Sequence, residues 1–183
     1  MARFATAAEL AAMLQRTFSA AETTAAEWAL DNATAAIKNY SRQRIEFVAN
    51  DAVVLRGNWS DILWLPERPV TAVASVTVGT AAVLSTSSYT WSRHGLLHAP
   101  TGWGGPHDVV TVTYSHGFAV VPDDVKAVCL SAAARSFGNP DNLRSETIGS
   151  YAVTYNTSAT GEGVLLSRSE KETLRRYRPT VEV

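Results

Sequence analysis

The periodicities along the chain predict an α+β fold, a small helical bundle of about four helices with an inserted antiparallel β-region. Three observations carry that prediction. Apolar residues recur at helical spacing at both ends of the chain. From Ile45 to Phe118 the spacing changes to alternation in short runs broken by turn residues. Three copies of a Ser/Thr-x-x-Glu pattern stand where helices would begin. The predicted organisation is one folding unit, with residues 1–44 and 119–183 as the bundle and residues 45–118 as the insert.

The helices follow from their starts and stripes. Thr6-Ala-Ala-Glu9 and Ser19-Ala-Ala-Glu22 are capping boxes, in which the hydroxyl accepts from a first-turn amide and the glutamate reaches back. Leu10, Met13 and Leu14 give the first, short helix one apolar face. In the second helix Ala26, Leu30, Ala33, Ile37 and Tyr40 recur at intervals of four and three, a single stripe. Its other faces are rich in Ala and Thr, which let a neighbouring helix approach closely. The opening MARFATAAELAAML has a faint look of a targeting segment, but Glu9 interrupts it and no clear cleavage site follows, so it reads as a mature helix.

The insert is a series of short strands. IEFVA, AVVLR and DILWL are separated by Asn50-Asp51 and Gly57-Asn58. Pro66 and Pro69 cannot donate to a ladder and mark a corner, after which residues 70–78 alternate as a longer strand. AVLST, YTWSR and GLLH follow, then a Gly/Pro loop, HAPTGWGGPHD, and a closing strand in VVTVTYSHGF. Six to eight short strands of this kind suit a small antiparallel sheet or sandwich.

Helix returns after Val120. Pro122 suits a first helical turn, where its missing amide costs nothing, and Asp123-Asp124 suit the positive end of the helix dipole. VKAVCLSAAARSF is apolar around much of its circumference, as a central bundle helix would be, and should pack on the second helix. Gly138-Asn139-Pro140 ends it. Ser167-Arg-Ser-Glu170 is the third capping box and starts the last helix, SRSEKETLRRYR, which Pro179 stops; residues 181–183 are expected to be mobile. Between these helices lies RSETIGSYAVTYNTSATGEG, residues 144–163, whose first half alternates as one strand with no second strand nearby to pair with.

Composition narrows the function. The chain has 183 residues, 46% hydrophobic, with a net charge of −1, so bulk electrostatics argue against a dedicated nucleic-acid binder. No apolar run approaches the ~20 residues that cross a bilayer, which argues against membrane insertion. Cys129 is the only cysteine and sits in an apolar helix, where a small buried hydrophobe is the better reading than a reactive thiol. His94, His98, His107 and His116 form no metal-ligand pattern, because the four-residue spacing of the first two falls in strand or turn. Ser, His and Asp are present without a G-x-S-x-G elbow, and Gly102-Trp103-Gly104-Gly105 lacks the Lys-Ser/Thr of a phosphate loop and reads as a tryptophan-anchored turn. No cofactor, metal or catalytic residue is therefore expected. Each of Trp28, Trp59, Trp64, Trp91 and Trp103 reads first as core and second as an interface anchor. The cations of the last helix read as a solvated face or as a docking element for an acidic partner or for nearby DNA.

Taken in order, LPERPVTAVASVTV, YTW, GLL, VVTVTYSHGFAVVPDDVKAVCLSAAARSFGNP, RSETIGSYAVTY and LRRYR resemble the head-to-tail adaptor (connector) proteins of tailed bacteriophages, of the siphophage or prophage type found in actinobacteria. The resemblance runs over nearly the whole chain; the Ala-rich first helix departs from it. It implies a structural virion protein that forms a ring, generally of twelve copies, beneath the portal. Such a ring extends the DNA channel and receives a stopper or tail-completion protein. Passing double-stranded DNA would meet it without sequence-specific binding, and assembly would take place in the host cytoplasm. Portal docking is expected of the C-terminal region, through Arg168, Lys171, Leu174, Arg175, Arg176, Tyr177 and Arg178. Arg144, Glu146, Ile148, Tyr151, Val153 and Tyr155 are expected to face a neighbouring subunit or the channel, with residues 156–163 flexible until assembly. Two other readings stand beside this one: another neck protein, such as a stopper, and a small hydrolase or metal enzyme using His94, His98 or His116.

Overall fold

Thr6, Ser19 and Ser167 all close their capping boxes in the computed structural model, each hydroxyl accepting from the amide three residues on while the glutamate there reaches back to the cap amide. The structure describes residues 3–80, 83–138, 145–148, 151–154 and 166–179, the two short internal segments by backbone only. The fold is α+β. Helices α1 (Ala7–Met13) and α2 (Ala20–Ser41) precede strands β1 (Val48–Arg56), β2 (Ile62–Trp64), β3 (Val70–Val78), β4 (Thr90–Trp91), β5 (Leu96–His98) and β6 (Val109–His116). Helix α3 (Asp123–Gly138), strands β7 (Ser145–Ile148) and β8 (Tyr151–Thr154), and helix α4 (Arg168–Leu174) with a 3₁₀ turn (Arg175–Tyr177) complete the order. The chain divides into two compact units, Met1–Arg42 with Val121–Arg178, and Gln43–Val120 with the last residues of the chain.

In the helical unit α2 packs on α3, and α1 and α4 pack against both. The stripe read from sequence is the one that is buried: Ala26, Leu30, Ala33 and Ile37 face inward, while Tyr40 at the end of the stripe is only half-buried. Opposite them Val125, Val128, Cys129, Ala132 and Ala133 of α3 are buried. Alanines on both surfaces bring the helices close enough for the Thr34 hydroxyl to meet Cys129 Sγ at 3.7 Å. Leu10, Leu30, Ile37 and Leu174 are fully buried and each contributes on the order of 1.5–3 kcal/mol. Arg42 ends α2 in the left-handed conformation, where a glycine would be more usual.

Gln43–Val120 holds two three-stranded antiparallel sheets, ordered β1-β6-β3 and β2-β5-β4. Strand β6 is central to the first, and its period-two pattern puts Val110, Val112, Tyr114 and His116 inside. Val110, Val112 and Tyr114 share one core with Leu63, Leu65, Val76, Leu97 and Trp103. IEFVA and AVVLR are not two strands. They form one strand from Val48, interrupted by a bulge where the register against β6 shifts between Val48 and Asp51 and Asn50 takes φ 50°. Asn-Asp mimics a break in the sequence because the same residues that make turns also tolerate the left-handed backbone of a bulge. Residues 83–86 of AVLST are not in a strand.

Residues 144–155 are also not one strand. Strands β7 and β8 pair with each other antiparallel, Ser145 opposite Thr154 and Ile148 opposite Tyr151, so the segment finds its first backbone partner within its own chain. In the sequence the alternation carries on from Ile148 to Tyr151, which hid the division into two strands. Two four-residue runs separated by Gly149-Ser150 are a hairpin signature in the sequence. The expectation for residues 156–163 and that for residues 181–183 fall outside the described residues.

Candidate functional site

The residues expected to dock a partner converge on α4 and the turn after it, and their roles differ once placed. Glu170 does two jobs. It caps its own helix by accepting from the Ser167 amide at 2.7 Å, and it takes both guanidinium nitrogens of Arg135 at 2.7 and 2.8 Å. Burial by itself pushes the Glu170 carboxyl up, but the Arg135 and Ser167 hydrogen bonds outweigh it and hold the group below its usual range. Leu174 is fully buried, so it anchors the helix and presents nothing outward. Tyr177 donates its hydroxyl to Asp124 Oδ1 at 2.7 Å, and Arg176 pairs with the other oxygen of the same carboxylate. Burial, then the contact with Asp124, pushes the Tyr177 hydroxyl up to about 12. The Arg178 guanidinium lies over the Tyr40 ring.

Arg168, Lys171 and Arg175 remain on the surface. At 100° per residue they fall within about 60° of one another, so a short helix that is otherwise clamped down presents one cationic edge. Glu172 touches that edge only through an exposed pair with Arg175 at 3.5 Å, which neutralises little. The geometry suits an acidic or phosphate-bearing surface. Sequence reasoning found this helix and its cations; it did not separate the clamping residues Leu174, Arg176 and Tyr177 from the displayed ones.

The second candidate segment is described by its backbone alone. Glu146 and Ile148 stand on β7, Tyr151 and Val153 on β8, with Glu146 opposite Val153. Arg144 and Tyr155 lie outside the described residues. A two-stranded hairpin leaves one unpaired backbone edge on each strand.

The histidines are dispersed. His98 Nε2 meets Asp61 at 3.2 Å at the surface, and His94 is exposed in a turn. His116 is fully buried, with Nε2 3.2 Å from Asp51 Oδ2 and Nδ1 without a hydrogen-bond partner among the described residues. Asp51 also receives Arg44, whose amide donates to Glu67 at 2.6 Å, while the Glu67 amide donates to the Tyr114 hydroxyl. Burial pushes Glu67 up despite Arg44, and pushes the Tyr114 hydroxyl up to about 12. This polar chain joins β1, β6 and the Pro66–Pro69 corner, and sequence reasoning missed it because its members are spread over more than 70 residues. Among the described residues no group of three or more His, Cys, Asp or Glu is placed to hold a metal ion, and no helix there is long and apolar enough to cross a membrane.

Of the five tryptophans only Trp103 is core. It is fully buried and donates its indole N–H to the Asp61 carbonyl at 2.9 Å. Trp28 is 66% exposed and Trp59 81%, with Trp64 and Trp91 on the short outer strands β2 and β4. Trp59 sits at φ 59° and lays its ring against Gly105, where a Cβ would stand 2.4 Å from the indole. The expectation of core first holds for Trp103 alone. Four of the five lie on a helix face, a loop or an edge that leaves much of the ring in water.

No family model matches the chain, and no curated protein matches it. Its fold recurs in solved structures of gene transfer agent particles. A chain in the neck of an empty particle, computed with C6 symmetry, superposes with a TM-score of 0.57 at 21% identity, over 97% of this chain and 90% of that one. A chain in the neck of the native particle, computed with C12 symmetry, gives 0.51 at 19%, over 96% and 88%. A chain in the virion of the native particle gives 0.54 at 18%, over 97% and 90%. At these identities the likeness is one of fold, and it embraces nearly the whole of each chain.

Proposed function

We propose that this chain is a structural neck protein of a tailed, phage-like particle, and within that class a head-to-tail adaptor. Copies form a ring beneath the portal, twelve by resemblance, which extends the DNA channel and receives the stopper or tail-completion protein. The observation that carries this reading is the end-to-end fold likeness to chains in gene transfer agent necks. The ordered sequence resemblance to adaptors of siphophages and prophages points the same way.

The exposed edge of Arg168, Lys171 and Arg175 is the portal-docking element. It is rigid, because Glu170, Leu174 and Tyr177 hold it to α3, and charged, because the exposed Arg175–Glu172 pair neutralises little of it. The β7–β8 pair has, among the described residues, two outer edges for a neighbouring copy or the channel wall. A near-neutral chain suits a wall past which DNA must slide, since each strong phosphate contact would retard it.

The test is to mix the purified chain with its portal and image the product by electron microscopy. A ring seated beneath the portal is expected. Reversing Arg168, Lys171 and Arg175 to Glu should abolish seating while leaving the fold intact. Absence of the chain from purified particles would overturn the reading.

A further inference from the structure

The β1-β6-β3 sheet ends in a long strand on each side, and its two edges differ. The outer edge of β3 is covered. Its Val76 carbonyl accepts from the Leu84 amide at 2.8 Å, and its Val70 amide donates to the Arg93 carbonyl at 2.9 Å. The outer edge of β1 is bare among the described residues. The Gly57 amide donates to the Asp108 carbonyl at 3.0 Å, which fixes the phase of the ladder. Asp51, Val53 and Leu55 therefore bond to β6, while Ala52, Val54 and Arg56 turn their amides and carbonyls outward. All three are exposed, Val54 at 66%. An open edge is ordinarily guarded by lysine, proline, a bulge or a covering loop. Here the register shift lies before Asp51, and residues 52–56 include neither lysine nor proline. The edge offers an N–H and a C=O at every second residue over about 14 Å.

We infer that this edge takes the β7–β8 pair of a second copy, the neighbour in the ring, as further strands of its sheet. The inference rests on the ring reading above and names the surface that receives the pair. Alternating N–H and C=O groups at this spacing are matched by an extended backbone, so the occupant is a strand. Strands β7 and β8 form a two-stranded sheet with, among the described residues, an unpaired edge on each side. Each strand is four residues long, about 10 Å, and fits within the open stretch of β1. Two strands alone make a marginal sheet, which gains stability by joining a larger one. Charge agrees with the pairing: Glu146 is the only charged residue of β7 and β8, and Arg56, of opposite sign, the only one in residues 52–56. One chain thus carries a giving edge and a different, receiving edge, the two unlike surfaces that a heterologous ring requires.

The experiment uses the full chain with the photo-cross-linking residue p-benzoylphenylalanine at position 54, isotope-labelled and unlabelled copies being mixed and assembled with the portal. Irradiation is expected to join labelled to unlabelled copies, with the second attachment within residues 145–154. Attachment only within a single copy, to another part of the second copy or to the portal, or no adduct from rings that microscopy shows to be complete, would each overturn the inference and leave the neck reading standing. Failure of the native chain to form a ring would overturn both. As a second measurement, Val54→Pro deletes an amide that the chain's own ladder does not use, so it should keep the native circular dichroism spectrum and weaken copy-to-copy association on the order of tenfold. Val54→Thr retains the amide and should associate as the native chain does. An unchanged ring yield for Val54→Pro would also overturn the inference, and the cross-link decides the matter without that variant should it fail to fold.

Discussion

Arg135 on α3 and Glu170 on α4 meet fork to fork, at 2.7 and 2.8 Å, and the same carboxylate caps α4 through the Ser167 amide. One side chain thus fixes both the start of a helix and its attachment. Glu170→Ala removes the cap and leaves Arg135 facing a partly buried hole, a loss of about 1–3 kcal/mol at neutral pH in urea unfolding followed by circular dichroism.

The pH dependence of that bridge follows from its sign. Glu170 is held below its ordinary value of 4.5, by Arg135 and Ser167 against the opposing effect of burial. A depressed acid contributes stability that is complete above the unfolded value and is lost as pH falls through the native one. The native chain should therefore lose stability on acidification below pH 4.5, and Glu170→Gln should lose less over the same window.

At the alkaline end the sign reverses. Tyr177 and Tyr114 are both pushed up to about 12, chiefly by burial. Stability they contribute is complete below the ordinary value of 10 and is lost as pH rises from 10 towards 12. Titration of phenolate absorbance should show Tyr114 and Tyr177 ionising late. Tyr177→Phe should remove one of them and cost about 0.5–1.5 kcal/mol at neutral pH for its hydrogen bond to Asp124.

Trp103 and Trp59 should separate cleanly by mutation. Trp103→Ala empties the centre of the β-unit core and is expected to cost about 3–5 kcal/mol. Trp59→Phe, at a site mostly in water, should stay within about 0.5 kcal/mol. Iodide should quench the native fluorescence from Trp28 and Trp59 and leave a blue-shifted component from Trp103.

Gly117 explains why the VTYSHGF junction needs its glycine. Its φ is 89°, and a Cβ there would lie 2.2 Å from the Glu46 carbonyl oxygen. Beside it the Phe118 amide donates to the Ile45 carbonyl at 2.9 Å, bringing the start and end of the insert together. Gly117→Ala should destabilise the β-unit by more than about 1 kcal/mol, read from thermal unfolding of the full chain.

What the sequence disclosed was whatever depends on near neighbours. The three capping boxes join residues three apart, and the buried stripe of α2 repeats every three or four, so both were legible. The bulge at Asn50 and the pairing of β7 with β8 were local too, but turn residues serve breaks, bulges and hairpins alike, and only the register against a partner tells them apart. The Arg44–Asp51–His116 chain and the division of the C-terminal cations into clamps and displayed charges depend on distant residues. Arg176 is 52 positions from Asp124, and no periodicity connects them.

Asp124 and Arg135 also determine how the last helix lets go. Eleven residues apart on α3, they grip the C-terminal segment at Arg176 and Tyr177 and at Glu170, one site near each end. A helix fastened only at its base would fray turn by turn from the free tip. This one is bolted at both ends like a plank across two beams, so it stays flat until a bolt shears and then lifts whole. Amides from Lys171 to Arg175 should accordingly exchange with solvent at a single common rate, the behaviour of a part that is either seated or gone.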